Sequence, residues 1–373
     1  MKREDLRNCK RIVVKVGTSS ITYPTGKVNL RKMELLAREL VDLHSSGREL
    51  ILTSSGAVGA GVGKLNCPPP SSLPEKQALA AIGQGILMHM YEKFFSEYSK
   101  SVAQVLLTRD CFSNPERYLN SRNTLFSLLD FGVIPIINEN DTVAVDELKF
   151  GDNDTLSAMV ACNADADLLI ILSDIDGLYD SDPRGNPNAA LIREVTEITE
   201  SMVENSKNKG SGMSSGGMLT KLSAARMTMG NGIPLVIASS DEPHGISRIS
   251  DGEDIGTLFL PCREGYANRR QWIAVGSKPK GILIVDEGAE EALLHKGKSL
   301  LPSGVRKIEG RFAPGDVVSV QNVSGTELAR GISNYGDEDA RKIMGSRSKD
   351  IEKILGHLDY EELIHRNNMA ILL

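Results

Sequence analysis

The residues able to do chemistry stand at the ends of apolar runs. Lys15 lies near the end of RIVVKV (11–16), which is followed by Gly-Thr-Ser-Ser. ELILTS (49–54) leads into TSSGAVGAGVGK, and VIPIIN (133–138) into NENDTVAV and then GDNDTLSA. DLLIILS (167–173) leads into SDIDGLY, and SSGGMLTK (214–221) opens the unbroken run LTKLSAARM. If the runs are parallel strands, these edges meet where ligands of open sheets collect. Lysines, hydroxyls, amides and glycine-freed backbone N–H groups brought to one edge suit a polyanion, above all phosphate.

Each segment taken alone also has a plainer reading. Lys15 could be an edge-strand charge or a snorkelling side chain. SSGAVGAGVG suits close helix packing or a flexible loop as well as a cradle. NEND and GDND suit capping turns, with capping expected to involve Asn153 and Asp154 themselves. SDIDGLY could be a strand-exit turn with Tyr179 packed on the surface. Glycine-rich loops ahead of helices are common, so SSGGMLTK is a weak signal by itself. No G-x-x-x-x-G-K-[ST] occurs, no G-x-G-x-x-G follows a strand, and protein-kinase signatures are absent. A phosphate site here belongs to another architecture.

The elements that must position these edges alternate. The continuous apolar runs, with SVAQVLL (101–107) and IPLVIAS (233–239), read as strands buried on both faces. Between them lie helical patterns. LRKMELLARELVDLHSSG starts after Asn29 as N-cap and stops at Gly47, and NPERYLNSRNTLFSLLDFG puts Pro115 just after the cap Asn114. LPEKQALAAIGQGILMHMYEKFF, DNDTLSAMVACNADA and GGMLTKLSAARMTMGNG complete the set. The alternation predicts a three-layer α/β/α sandwich with a mostly parallel central sheet. The pattern changes near residue 262. Beyond it GILIVD, VRKIEG, VVSVQN and ELARGIS read as short strands, with short helices at roughly 337–345 and 348–356. The expected division is 1–262, a linker at 263–278, and a small β-rich domain at 279–373.

Composition bounds the setting. A chain of 373 residues exceeds one core, and 40% hydrophobic with 25% charged residues is ordinary for a globular protein. The amino-terminal MKREDLRNCKR lacks the apolar stretch of a secretory signal, and no run approaches a membrane span. Five scattered cysteines without CxxC spacing suit reduced thiols, so the cytoplasm is the expected location. A net charge of −6 argues against a general nucleic-acid binder, and residues 268–373 are nearly neutral, with 16 Lys+Arg against 15 Asp+Glu.

Taken in order, KVGTS, TSSGAVGAG, NEND, GDND, SDIDGLY and GGMLTK resemble the amino-acid kinase superfamily, and within it the glutamate 5-kinase family. The resemblance runs across essentially the whole chain, because bacterial members also carry a C-terminal PUA domain. Where that family often has Gly-Thr before GGM, this chain has Ser214 and Ser215. The resemblance implies phosphorylation of the side-chain carboxylate of L-glutamate by ATP with Mg²⁺, the first step of proline biosynthesis, with proline as feedback inhibitor.

Carried over residue by residue, it implies that Lys15 and Lys221 hold the phosphoryl oxygens and that Asp154 orients both ammonium groups. It places glutamate on Ser55, Asp141 and Asn153. It places the nucleotide on Lys15, Ser173, Asp174, Ser215, Gly216, Gly217, Met218, Leu219, Thr220 and Lys221. No direct metal ligand is assigned. The implied partners are glutamyl phosphate reductase, to receive a labile product, and further copies of the chain. Two other readings stand beside this one. One is a superfamily member with N-acetylglutamate, aspartate or a nucleoside monophosphate as acceptor. The other is an RNA-directed protein in which the α/β part is a scaffold.

Overall fold

The computed structural model describes residues 1–144, 152–207 apart from 182, 184 and 187, 217–261 and 279–372. Two units emerge from the packing. One comprises Met1–Arg109 with Arg122–Gly265, the other Asp110–Ser121 with Tyr266–Leu373.

In the first unit the strands are β1 (Arg11–Val16), β2 (Glu49–Ser54), β3 (Val102–Leu107), β4 (Ile134–Glu139), β5 (Leu168–Ser173), β6 (Glu194–Val195), β7 (Leu235–Ser239) and β8 (Thr257–Phe259). They form one sheet in the order β3-β4-β2-β1-β5-β7-β8-β6. Pairing is parallel from β3 through β7, and β8 runs antiparallel to β7. The short strands β6 and β8, too brief to show a period of their own, were not anticipated. β1 is central, with Lys15 level with Thr53 on one side and Ile171 on the other.

Strand alternation sorts side chains between the two faces. Ile12, Val14 and Val16 join Leu50, Leu52, Ile170 and Leu172 in one apolar cluster. Against that face pack α1 (Leu30–Ser45), α2 (Ala57–Leu65) and α3 (Leu73–Ser96). Val13 and Lys15 therefore point to the opposite face, which carries helices further along the chain. The apolar-run reading holds for β1, β2 and β5, but β3 is half-exposed and lies at the sheet's edge. An apolar run does not distinguish a central strand from an edge one.

The caps explain the helix boundaries. Asn29 accepts a hydrogen bond from Lys32 N–H at the start of α1, and Gly47 at φ +93° closes its end. Asn114 Oδ1 accepts from Arg117 N–H at the start of α4 (Pro115–Asp130). For α5 (Asn153–Asn163) the cap is Asp152, which accepts from Asp154 N–H and Thr155 N–H. Asn153 and Asp154 are not the caps expected; they are the first helical residues, which frees their side chains. After α6 (Glu200–Lys207), α7 (Met218–Gly230) starts at Gly217 without a side-chain cap, and α8 (Gly245–Ser250) completes the unit.

Gly61 of SSGAVGAGVG serves packing, as does Gly83 in α3. A Cβ on Gly61 would lie 2.1 Å from Leu79 O, and one on Gly83 only 1.7 Å from Ala57 O. Helices α2 and α3 thus touch backbone to backbone, which only glycine permits.

The second unit holds β9 (Gly281–Val285), β10 (Val305–Gly310), β11 (Val317–Gln321), β12 (Glu327–Ile332) and β13 (Met369–Ile371), in the order β10-β9-β11-β12-β13. Its helices are α9 (Glu287–Lys296), α10 (Asp337–Ile343) and α11 (Ile351–Leu355). Four strands and the last two helices match the pattern read from the sequence; α9 and β13 do not appear in it. Leu119 packs with Val317, Ile332 and Ala370, so the stretch Asp110–Ser121 is part of this unit's core. The expected linker at 263–278 lies outside the described residues.

Candidate functional site

Three residues from distant parts of the chain meet at the carboxyl edge of the sheet. Lys15 is on β1, Asp154 in the first turn of α5, and Lys221 in the first turn of α7. Lys15 Nζ lies 2.6 Å from Asp154 Oδ1, and Lys221 Nζ donates to Asp154 Oδ2 at 3.1 Å. All three are buried, with relative exposures of 7%, 0% and 4%. Thr220 Oγ1 also donates to Asp154 Oδ2, at 3.0 Å.

Burial pushes the Asp154 carboxyl up, but the charges of Lys15 and Lys221 and their hydrogen bonds overcome it and bring the group down to about 2. Its neighbour Asp152 goes the other way. Burial, then the charge of Asp154, raises Asp152 to about 6 against the opposing hydrogen bonds from Asp154 N–H and Thr155. The result is one carboxylate carrying two ammonium groups. Such a set carries excess positive charge, which suits a polyanion.

The predicted amino-acid side forms a second cluster. Asn153 Nδ2 donates to Ser54 O at 3.1 Å, to Ser55 Oγ at 3.0 Å and to Asn138 Oδ1 at 2.8 Å. Ser55 and Asn153 are thus together. Asp141 lies just past β4 and touches neither of them among the described residues. Its carboxyl is raised by burial, with Lys76 opposing. Asn138, Gln84 and Tyr91 were not singled out from the sequence. Asn138 Nδ2 donates to Gln84 Oε1 at 2.8 Å, and the Tyr91 hydroxyl is 2.8 Å from Ser54 Oγ. Asn138 is the first residue of the NEND motif and could have been found there. Gln84 and Tyr91 sit mid-helix, where no local pattern marks them.

Of the residues expected to line the nucleotide, Ser173 is buried at the end of β5, and its hydroxyl donates to the exposed Asp174 at 3.1 Å. Neither residue contacts the Lys15–Asp154–Lys221 cluster among the described residues. Gly217, Met218, Leu219 and Thr220 form the N-terminus of α7, where the first-turn N–H groups and the helix dipole favour an anion. Ser215 and Gly216 lie outside the described residues. SDIDGLY takes its plainer reading at Tyr179, whose hydroxyl donates to Asp176 at 3.2 Å while its backbone bridges to Leu191.

Comparison with known proteins agrees in extent. The model of the amino acid kinase family matches residues 10–239, and that of the PUA domain matches 281–355. A protein of Carboxydothermus hydrogenoformans named glutamate 5-kinase is 51% identical over 372 residues, covering 99% of this chain and 100% of its own. One of the same name from Caldanaerobacter subterraneus subsp. tengcongensis is 52% identical over 363 residues, covering 97% and 98%. A third, from Citrifermentans bemidjiense, is 46% identical over 373 residues and covers both chains fully.

Proposed function

Because this chain belongs to the amino acid kinase family, we propose that it transfers the γ-phosphoryl group of ATP to the side-chain carboxylate of L-glutamate. The products are L-glutamyl 5-phosphate and ADP, and the reaction opens proline biosynthesis. One observation supports this reading most directly: Lys15 and Lys221 converge on the fully buried Asp154 beside the uncapped start of α7.

The acceptor carboxylate has an ordinary pKa near 4.3 and is already ionised at neutral pH, so no general base has to create the nucleophile. The obstacle is the approach of one anion to another. Lys15 and Lys221 offset that repulsion by holding the transferring oxygens, and Asp154 keeps both ammonium groups aimed. The start of α7 takes the remaining phosphate charge. Asn153 and Ser55, tied to the end of β2, hold the amino acid on the other side, with Asp141 as partner for its α-ammonium. Ser173 and Asp174 line the nucleotide. This donor set, cationic and N–H-rich, fits a polyphosphate. Among the described residues no three acidic, imidazole or thiol groups converge, and we assign Mg²⁺ to the phosphates and water. When bound, it neutralises charge on the transferring group.

The kinase region is assigned to 1–262 and the PUA-like region to 279–373. Proline, a cyclised relative of glutamate without the attacking carboxylate, competes at the acceptor site. The acyl phosphate passes to a reductase before it hydrolyses or cyclises. Among the described residues no helix is long and apolar enough to cross a membrane.

ADP release coupled to an indicator reaction tests this reading, with L-glutamate, N-acetylglutamate, aspartate and nucleoside monophosphates as acceptors and proline as a titrant. Glutamate is expected to be preferred, and proline to raise its apparent KM. Preference for another acceptor would overturn the assignment.

A further inference from the structure

Primary amides present two ends of nearly equal shape, one an acceptor and one a donor, so the direction of a buried amide is set by its partners. At this site two backbone groups set it. Glu139 N–H donates to Asn138 Oδ1 at 2.9 Å, which fixes the Asn138 carbonyl toward the end of β4. Its Nδ2 must then face α3, where Gln84 Oε1 accepts at 2.8 Å. The same Asn138 oxygen takes Asn153 Nδ2 at 2.8 Å, and the Ser54 carbonyl, which can only accept, takes it at 3.1 Å. The amide of Asn153 is therefore locked with its nitrogen toward protein. Among the described residues no donor reaches Asn153 Oδ1, so this oxygen keeps its capacity to accept.

We infer that Gln84 is a positioning residue that holds Asn138, and through it Asn153, with a carbonyl oxygen turned toward the acceptor amino acid. Asn138 is only 3% exposed. Without the Gln84 acceptor its buried N–H group loses its partner, and rotating the amide to relieve that loss would set Nδ2 against both Glu139 N–H and Asn153 Nδ2. Asn153 would then have to swing. A carbonyl presented at this point accepts from an N–H donor, which in an amino acid is the α-ammonium. The inference rests on the proposed acceptor being a free amino acid.

The test compares the full-length parent, Gln84→Leu and the acceptor-retaining Gln84→Glu in the ADP-release assay. Gln84→Leu is expected to raise the KM for L-glutamate about tenfold, the effect of one unpaired buried donor, while the KM for ATP stays unchanged. A glutamate at 84 keeps an acceptor for Asn138 Nδ2, so Gln84→Glu is expected to stay close to the parent in its KM for L-glutamate. A Gln84→Glu enzyme as impaired for L-glutamate as Gln84→Leu, or a Gln84→Leu enzyme whose two KM values and kcat move together, overturns the inference and leaves only a packing role. If Gln84→Leu fails to fold, Gln84→Ala removes the same acceptor and is scored identically. A parent without glutamate-dependent ADP release overturns the functional reading and this inference with it. An active parent whose glutamate KM is untouched by Gln84→Leu overturns the inference alone.

Discussion

Replacing Asp154 by asparagine removes one charge and almost no volume, so it isolates the electrostatic role of the residue. Its oxygens lie 2.6 Å from Lys15 Nζ and 3.1 Å from Lys221 Nζ, with the carboxylate fully buried. At an effective dielectric of about 20, each contact carries on the order of 5–6 kcal/mol of attraction before desolvation is subtracted. Deleting one member of such a buried group costs about 3–5 kcal/mol net, because charge is left without a partner. For a unit of this size each kcal/mol shifts Tm by about 2–4 °C, so Asp154→Asn should melt about 6–20 °C lower by circular dichroism or calorimetry. A non-hydrolysable ATP analogue should restore more of that loss in the variant than it adds to the parent, since its phosphates supply the missing negative charge. Turnover should fall by about 10³, the size expected for a misaimed electrostatic group. A variant that melts within about 2 °C of the parent, with an equal ligand-induced shift, would refute the claim that Asp154 holds two charged lysines.

Lys221→Ala should keep the fold by circular dichroism and lose about 10²–10³ in kcat; near-normal turnover would remove Lys221 from the mechanism. Gly83→Ala places a methyl 1.7 Å from Ala57 O and should destabilise by about 1–3 kcal/mol or more. On the same helix, Gly85→Ala meets nothing within 4 Å and should stabilise by about 0.5–1 kcal/mol. Denaturant midpoints that shift alike for the two would contradict the close approach of α2 and α3. Asp152 is raised from 3.8 to about 6, so its favourable contribution is complete below the lower value and disappears as pH rises through the upper one. Asp152→Asn keeps a capping oxygen but never ionises. Its stability relative to the parent should therefore climb between pH 4 and pH 8, by at most about 3 kcal/mol. A pH-independent difference in Tm would show that Asp152 is not strained by ionising.

How far the chain could be read in one dimension depended on the range of the forces involved. Apolar runs, helix caps at Asn29 and Asn114, and a glycine at 47 are local signals, and each element they announce is present. Lys15 was conspicuous as a charge inside an apolar strand. Other features depend on what a residue meets across space. Capping of α5 falls to Asp152, one residue before the pair expected, because Asn153 is needed at Ser54 and Asp154 between two lysines. Gly61 reads equally as loop or packing, and Gly83 as one more residue of a helical run, until α2 and α3 are set against each other. β3 looks like any buried strand until the sheet order puts it at an edge.

By itself, then, the amino-acid order determined most of the strands and helices and the families they resemble, since periodicity, capping and motif order are properties of neighbours in the chain. That Lys15 and Lys221 share Asp154, which lies 67 residues from the second of them, was implied only by resemblance until the tertiary structure put all three in contact, and the tertiary structure alone decided that Gln84 reaches Asn138. Burial makes those contacts matter, because a charge or an amide withdrawn from water must find its partner within the fold, wherever in the chain that partner happens to be.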